Sequence, residues 1–398
     1  MTATAREPLA GPRTGHWPGI VAAALTATVT VMPGFTVGAL APAIASELHL
    51  SRSALGLAMS AFYAATALGS PVAKRLAARL PVPAVLALAA LAAAAVMAAA
   101  SRATGVATLT AVLVAGGLSN GLVQPAAGRL IAARVPAHRR SLAAGTVGAA
   151  LGAGTLVPGL LVAMVLQEHG WRTAMLLAAL VALVPVALAP LARVPAAPPP
   201  GRAGTGGAGG PRGTGRVLVL WALAAALSAT GNNAVASYFV QLGTSSGLAV
   251  AVTGNLLSLS ALAAIVVRLA AGALTDRAPR HNPAVIAAMM LTGGLGLALV
   301  AIGTPVTFVL GAALAFSAGW GWTGLLLATT LRLVPDRAEN AGHTVQVGIY
   351  AGAAVAPFAF GALSDALGFA GAASIAGAAA VAGAASMTAG ALVLRRSR

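Results

Sequence analysis

Long runs of almost uninterrupted apolar residues follow one another along the chain, separated by short segments where glycine, proline or basic residues collect. Within each run the apolar residues fall on every face of a helix rather than on one stripe. That is the pattern of a helix meeting lipid on one side and other helices on the next. A span needs about 20 mostly apolar residues. Taking turns and charges as boundaries predicts six spans at 18–44, 53–77, 82–101, 105–133, 141–166 and 172–193. Six more are predicted at 217–242, 248–275, 283–303, 305–332, 342–364 and 369–394. Glycine and alanine are abundant throughout, small residues that let helix backbones approach closely in a bilayer.

Composition removes the other classes. Of 398 residues only 8% are charged and 59% are hydrophobic, whereas a soluble domain is about a quarter charged. A soluble enzyme, a disordered tail and a fibrous repeat are excluded, and 4% aromatic residues argue against a barrel with aromatic girdles. The chain has no cysteine, hence no thiolate metal site, redox pair or disulfide. Arg6 and Arg13 precede the first run, but that run outlasts a signal-peptide core and reads as a retained helix.

The net charge of +17, from 24 Lys+Arg against 7 Asp+Glu, gives orientation. If twelve spans alternate from a cytoplasmic N-terminus, the outer loops hold only Arg52, Arg102 and Arg172. Basic residues are retained on the cytoplasmic side, so both termini are predicted to lie there. Scattered between spans, the basic residues form no patch for nucleic acid. The fold class is therefore an all-α, multi-pass membrane protein.

The chain divides in two. Residues 195–215, rich in proline and glycine, read as a flexible cytoplasmic linker between bundles at 1–194 and 216–398. The match Gly204-x-Gly206-x-x-Gly209 inside it has no strand or phosphate-facing helix and is a compositional accident. Gly69-Ser-Pro-Val-Ala-Lys-Arg after span two is answered by Gly272-Ala-Leu-Thr-Asp-Arg after span eight. The segment from Arg134 to Val147 is likewise answered by that from Arg332 to Val345. Both pairs are offset by roughly 200 positions, the mark of a parallel repeat of two six-helix bundles such as transporters carry.

These residues resemble the major facilitator superfamily along nearly the whole chain. Its loop motif after span eight is Gly272-Ala-Leu-Thr-Asp276-Arg277-Ala-Pro279-Arg280-His281; the copy after span two keeps Gly69, Lys74 and Arg75 but has Ala73 in place of the acid. Gly145, Gly154, Pro158 and Gly159 are similar to the antiporter motif of helix five, with Pro-Gly reversed. Gly170-Trp171-Arg172 opens helix six, and Gly352, Pro357 and Gly361 mark helix eleven, as in superfamily members generally. Ser119-Asn120-Gly-Leu-Val-Gln124-Pro125 and Gly319-Trp320-Gly-Trp322 are similar to a bacterial subgroup grouped near cyanate and nitroimidazole transport proteins.

The resemblance implies two bundles in pseudo-symmetry, acting as a monomer in the bacterial cytoplasmic membrane with no cofactor or metal. It implies secondary transport of a small organic solute by alternating access, most simply efflux of a neutral or anionic molecule, the alternative being uptake of a small organic anion. It also implies a cytoplasmic gate of Gly272, Asp276, Arg277 and Arg280 against Arg139 and Arg140, with Lys74 and Arg75 turning to Asp336 or Glu339. Substrate contacts would come from Thr36, Tyr63, Asn120, Gln124, Asn232, Asn233, Trp320 and Trp322. Asn120 and Gln124 share a helical face at i and i+4, while two residues turn a helix by about 200°, so only one tryptophan can face a cavity.

All seven acids, Glu7, Glu47, Glu168, Asp276, Asp336, Glu339 and Asp365, fall at loops or helix ends. A cation exporter with a buried carboxylate is thereby disfavoured. Arg129 and Arg268 lie inside inner helix ends, either snorkelling to headgroups or offering an anion contact. The histidines are scattered without ligand spacing, and no Gly-x-x-x-x-Gly-Lys-Ser/Thr loop occurs, so an intramembrane enzyme and an ATP-driven pump are both poor readings.

Overall fold

In hydrocarbon every backbone N–H and C=O must find its partner within its own segment, so each apolar run folds as a helix. The computed structural model describes residues 15–136, 139–194, 214–275, 281–333 and 338–396. Its spans are α1 (Trp17–Ala39), α2 (Arg52–Arg79), α3 (Val82–Ala100), α4 (Val106–Arg134), α5 (Leu142–Met164) and α6 (Leu166–Ala192). There follow α7 (Gly215–Ser245), α8 (Val250–Ala271), α9 (Asn282–Ile302), α10 (Pro305–Thr330) and a last run, Thr344–Arg396.

That last run holds 53 residues, roughly 80 Å if straight, against a hydrocarbon core of about 30 Å. It is two spans. At Gly368 (φ 72°, ψ 173°) the backbone leaves the helical region, dividing the run into α11 (344–367) and α12 (369–396). Gly170 does the same at the start of α6, with φ 73° and ψ 170°. Only glycine takes such dihedrals freely. The two breaks stand roughly 200 positions apart, a third landmark of the repeat. The expected count of twelve holds.

One boundary is corrected. The first span was expected to reach 44, but α1 ends at Ala39 and a separate helix, Ala41–Leu48, follows with proline in its first turn. Of the linker expected at 195–215, residues 195–213 lie outside the described residues, and Thr214–Ser245 is already helix.

Core packing differs between the two ends of the molecule. At the end away from the basic loops, one continuous apolar cluster takes in Phe35, Leu40, Met59, Phe62 and Trp171 from α1–α6 and Phe239, Leu242, Phe308, Phe360 and Ala372 from α7–α12. At the basic end two clusters stand apart. One, around Ile20, Leu86, Leu130 and Val147, is made only of residues from α1–α6 and the residues following α4. The other, around Trp221, Met290, Trp322 and Leu326, is made only of α7–α12. The halves are joined at one end and separate toward the other.

Glycines permit the joined end. A Cβ on Gly38 would stand 2.6 Å from Ser237 O, and one on Gly254 would stand 2.6 Å from Gly159 O. Gly56 is pressed against Pro357 O in the same way. Any larger residue would force α1 from α7, α8 from α5 or α2 from α11.

Candidate functional site

The joined end is tied by polar contacts as well as apolar ones. Arg52, first residue of α2, donates from Nη1 to Ser364 O at 2.9 Å and lies 4.2 Å over the ring of Phe369. The Ser53 N–H donates to Asp365 Oδ2 at 3.0 Å. Tyr238, where α7 deviates from helical geometry at φ −118°, places its hydroxyl 2.7 Å from Arg52 O and 3.0 Å from Pro357 O. Phe358 N–H donates to Ser60 Oγ at 3.0 Å. Five hydrogen bonds and one cation–π contact thus latch α2, α7, α11 and the start of α12 together at one end. Sequence reading missed this latch, although Arg52 and Asp365 carried a signal: each is a charge at the end where charges are scarce.

A second cluster braces the first half alone. Beyond the Gly170 break, Trp171 Nε1 donates to Glu47 Oε2, and Arg172 pairs with Glu47 Oε1 at 2.8 Å. Arg172 also donates to Ser101 O and Ala103 O. The indole N–H first, and then the Arg172 guanidinium, hold the Glu47 carboxyl below the usual carboxylate range. The Gly-Trp-Arg motif therefore serves to fasten the Ala41–Leu48 helix and the residues just after α3 to α6.

Between the halves lies a band of aromatic rings. Tyr63 of α2 meets Phe35 of α1 at 6.3 Å, Phe35 meets Trp320 of α10 at 5.7 Å, and Trp320 meets Phe316 at 5.3 Å. Phe316 continues to Phe239 of α7. Trp320 thus faces the other half, while Trp322 is wholly buried in the packing of the second half, as the two-residue rotation required. The Tyr63 hydroxyl and Thr36 Oγ1 are buried with no hydrogen-bond partner. Asn232 donates to Gly319 O, leaving its own Oδ1 buried and unpartnered, and Asn233 donates to Ala229 O in its own helix at 3.0 Å.

Arg268 of α8 meets this band. Its Nε and Nη2 donate to Trp320 O at 3.1 and 2.9 Å, and its Nη1 donates to Gly148 O of α5 at 3.2 Å. Its guanidinium lies 5.7 Å from the Trp320 ring. Snorkelling is excluded by these contacts, because the head group is engaged on both halves.

Three expectations are corrected. Asn120 and Gln124 do not share one surface: α4 tightens at Gly121–Leu122, where Leu122 N–H bonds Ser119 O, just before Pro125. Asn120 is partly buried and donates to Thr66 Oγ1 of α2 at 3.3 Å, whereas Gln124 is exposed. Arg129 neither snorkels nor reaches the aromatic band; it donates to Ala77 O and Leu80 O, the last-turn carbonyls of α2, where a cation offsets the helix dipole. Arg140 similarly caps α4, donating to Val135 O and Ala132 O at 3.1 and 3.0 Å, rather than turning to a gate acid.

Of the expected gate, Asp276, Arg277, Arg280 and Asp336 lie outside the described residues, as do the side chain of Glu339 and the surroundings of Gly272. Lys74, Arg75 and Arg139 are exposed at the basic end. Among the described residues no group of three His, Cys, Asp or Glu could hold a metal ion.

Twelve spans, two halves and a family motif after span eight invite comparison with known proteins. The family model of the Major Facilitator Superfamily matches residues 23–344. The chain belongs to this superfamily. The solved structure of a bacterial homologue of the human lysosomal transporter Spinster, in an inward-facing and unoccupied conformation, superposes with a TM-score of 0.67 at 16% identity, covering 98% of this chain and 96% of that one. The same homologue in an inward-facing and occupied conformation gives 0.67 at 15% identity, over 95% and 96%. At such identities the likeness is one of fold. A gallate transporter of Pseudomonas putida is 28% identical over 158 residues, 39% of this chain. The alignment covers about a third of that relative (35%). The protein is a multi-pass membrane protein of this superfamily.

Proposed function

We propose that this superfamily member is a secondary carrier that moves a small organic solute, neutral or anionic, across the bacterial cytoplasmic membrane by alternating access. The observation that carries the reading is the asymmetry of the core: one cluster spans both halves at the latched end, and two separate clusters stand at the basic end. A molecule so built is closed on one side and parted on the other. With basic residues cytoplasmic, the parted side faces the cytoplasm, and both termini and the linker lie there. Solute loads from that side, which supports efflux. The same cycle run backwards is uptake, and an organic anion is the solute that the gallate transporter's name supports for it.

In the opposite state the basic ends would close. Asp276, Arg277 and Arg280 after α8 and Lys74 and Arg75 in the last turns of α2 would supply charges for that closure, the acid of Asp276 suiting the positive end of α5 beside Arg139. The protein works as a monomer, each half moving against the other.

Flux in proteoliposomes tests the reading. A labelled panel of neutral, anionic and cationic organic solutes is expected to include one carried saturably above protein-free vesicles. Folded protein that moves no panel member, or that conducts without saturation, would refute it.

A further inference from the structure

Arg268 is a cation held within the membrane-spanning bundle whose hydrogen-bond partners, among the described residues, are all backbone carbonyls. Carbonyl dipoles offset only part of the cost of a charge away from water; an anion offsets more. A guanidinium carries five N–H donors. Nε, Nη1 and Nη2 each spend one, so one N–H remains on each terminal nitrogen, the pair that takes both oxygens of a carboxylate.

The surroundings specify the rest of such a ligand. Trp320 stands beside the guanidinium, with Phe35 against it from the other half and Tyr63 beyond. This apolar band ends in the Tyr63 hydroxyl, buried and unpartnered. Glycines keep room on the α5 side. A Cβ on Gly152 would stand 2.7 Å from Arg268 Nη1, while one on Gly148 would meet nothing within 4 Å. One helix turn on α5 therefore seats the guanidinium at one glycine and leaves open space at the next. Cation, flat apolar wall and terminal hydroxyl lie in sequence, across the junction of the two halves.

We propose that Arg268 is the counter-ion of the transported solute and that this solute is a small aromatic carboxylate. The proposal rests on the carrier reading above and narrows its solute. The carboxylate takes the two remaining N–H groups of Arg268. The ring lies against Trp320 and Phe35, and a ring hydroxyl on the solute finds Tyr63. Because Arg268 already bonds both α5 and α10, the bound acid touches both halves at the place where they part.

The test uses the full chain in lipid nanodiscs and three probes: benzoate, benzamide and acetate. Calorimetric titration is expected to give saturable benzoate binding. Benzamide, which lacks the charge, and acetate, which lacks the ring, should each bind at least about 10-fold more weakly, and so should benzoate to Arg268→Gln, with Arg268→Lys between. Benzoate binding no better than benzamide, or undiminished in folded Arg268→Gln, overturns the proposal; acetate matching benzoate overturns its aromatic part. If Arg268→Gln does not fold, the three probes on the unaltered chain decide alone. A neutral or cationic panel solute carried equally well by Arg268→Gln sinks this proposal and leaves the carrier reading standing, whereas absence of all flux sinks the carrier reading.

Discussion

At the scale of single residues, four of the described arginines are spent on backbone carbonyls. Arg129 and Arg140 cap the ends of α2 and α4, Arg52 caps α11 at Ser364, and Arg268 binds two carbonyls on two helices. Glu47 is different, because Trp171 and Arg172 hold its ionised form. A carboxyl whose pKa is depressed in the folded state contributes stability above its unfolded value, about 4.3 for glutamate. That contribution disappears as pH falls through the lower, folded value. The melting temperature of the detergent-solubilised chain should therefore drop more between about pH 5 and 3, the window that starts just above the ordinary glutamate pKa and runs below it, than that of Glu47→Gln. Parallel curves for the two proteins would remove Glu47 as the titrating brace. The pairing was not legible from sequence, since Glu47 and Arg172 are brought together only by the Gly170 turn. The tryptophans were half legible: rotation along a helix required that Trp320 and Trp322 part company, yet only packing decided which faced the other half.

At the scale of elements, the breaks matter as much as the helices. Gly368 and Gly170 turn the chain between spans, Tyr238 loosens α7 where it meets the latch, and Gly121 tightens α4 before Pro125. The Tyr238 hydroxyl is a donor shared between α2 and α11. Tyr238→Phe removes it at a net cost of about 1 kcal/mol, roughly 5-fold in the balance between closed and open forms of that end. The chain lacks cysteine, so a single Ser237→Cys, beside Gly38 at the closure, reports opening cleanly. Its labelling by a membrane-impermeant thiol reagent should rise several-fold in the Tyr238→Phe background; an unchanged rate would place closure elsewhere. Proline and glycine marked these breaks in the sequence, but a glycine reads alike whether it turns a chain, as Gly368 does, or admits a neighbour, as Gly38 does.

At the scale of the whole molecule, the proposed alternating access requires that the latched end open. Ser53 and Asp365 stand across it, joined by a 3.0 Å hydrogen bond. Replacing both with cysteine and bridging them with a short bifunctional thiol reagent should abolish flux in proteoliposomes while leaving solute binding from the basic end intact. Uncross-linked protein should retain transport. Full flux through the bridged protein would mean that this end does not part during the cycle.

Twelve crossings, helical structure and the repeat were set by sequence alone, because hydrocarbon leaves the backbone no choice but helix and penalises charge wherever it lies. The scarcity of acids within the spans was set there too. Which polar groups became contacts was not. Thr36, Tyr63 and Asn232 keep buried unpartnered atoms, whereas Asn120 and Arg129 are consumed by neighbouring helices, and those outcomes depend on how helices distant in the chain rotate and cross. Only tertiary packing could decide that Arg268 stands between the halves with carbonyls for company, or that Arg52 closes the opposite end, because both rest on contacts between residues more than a hundred positions apart.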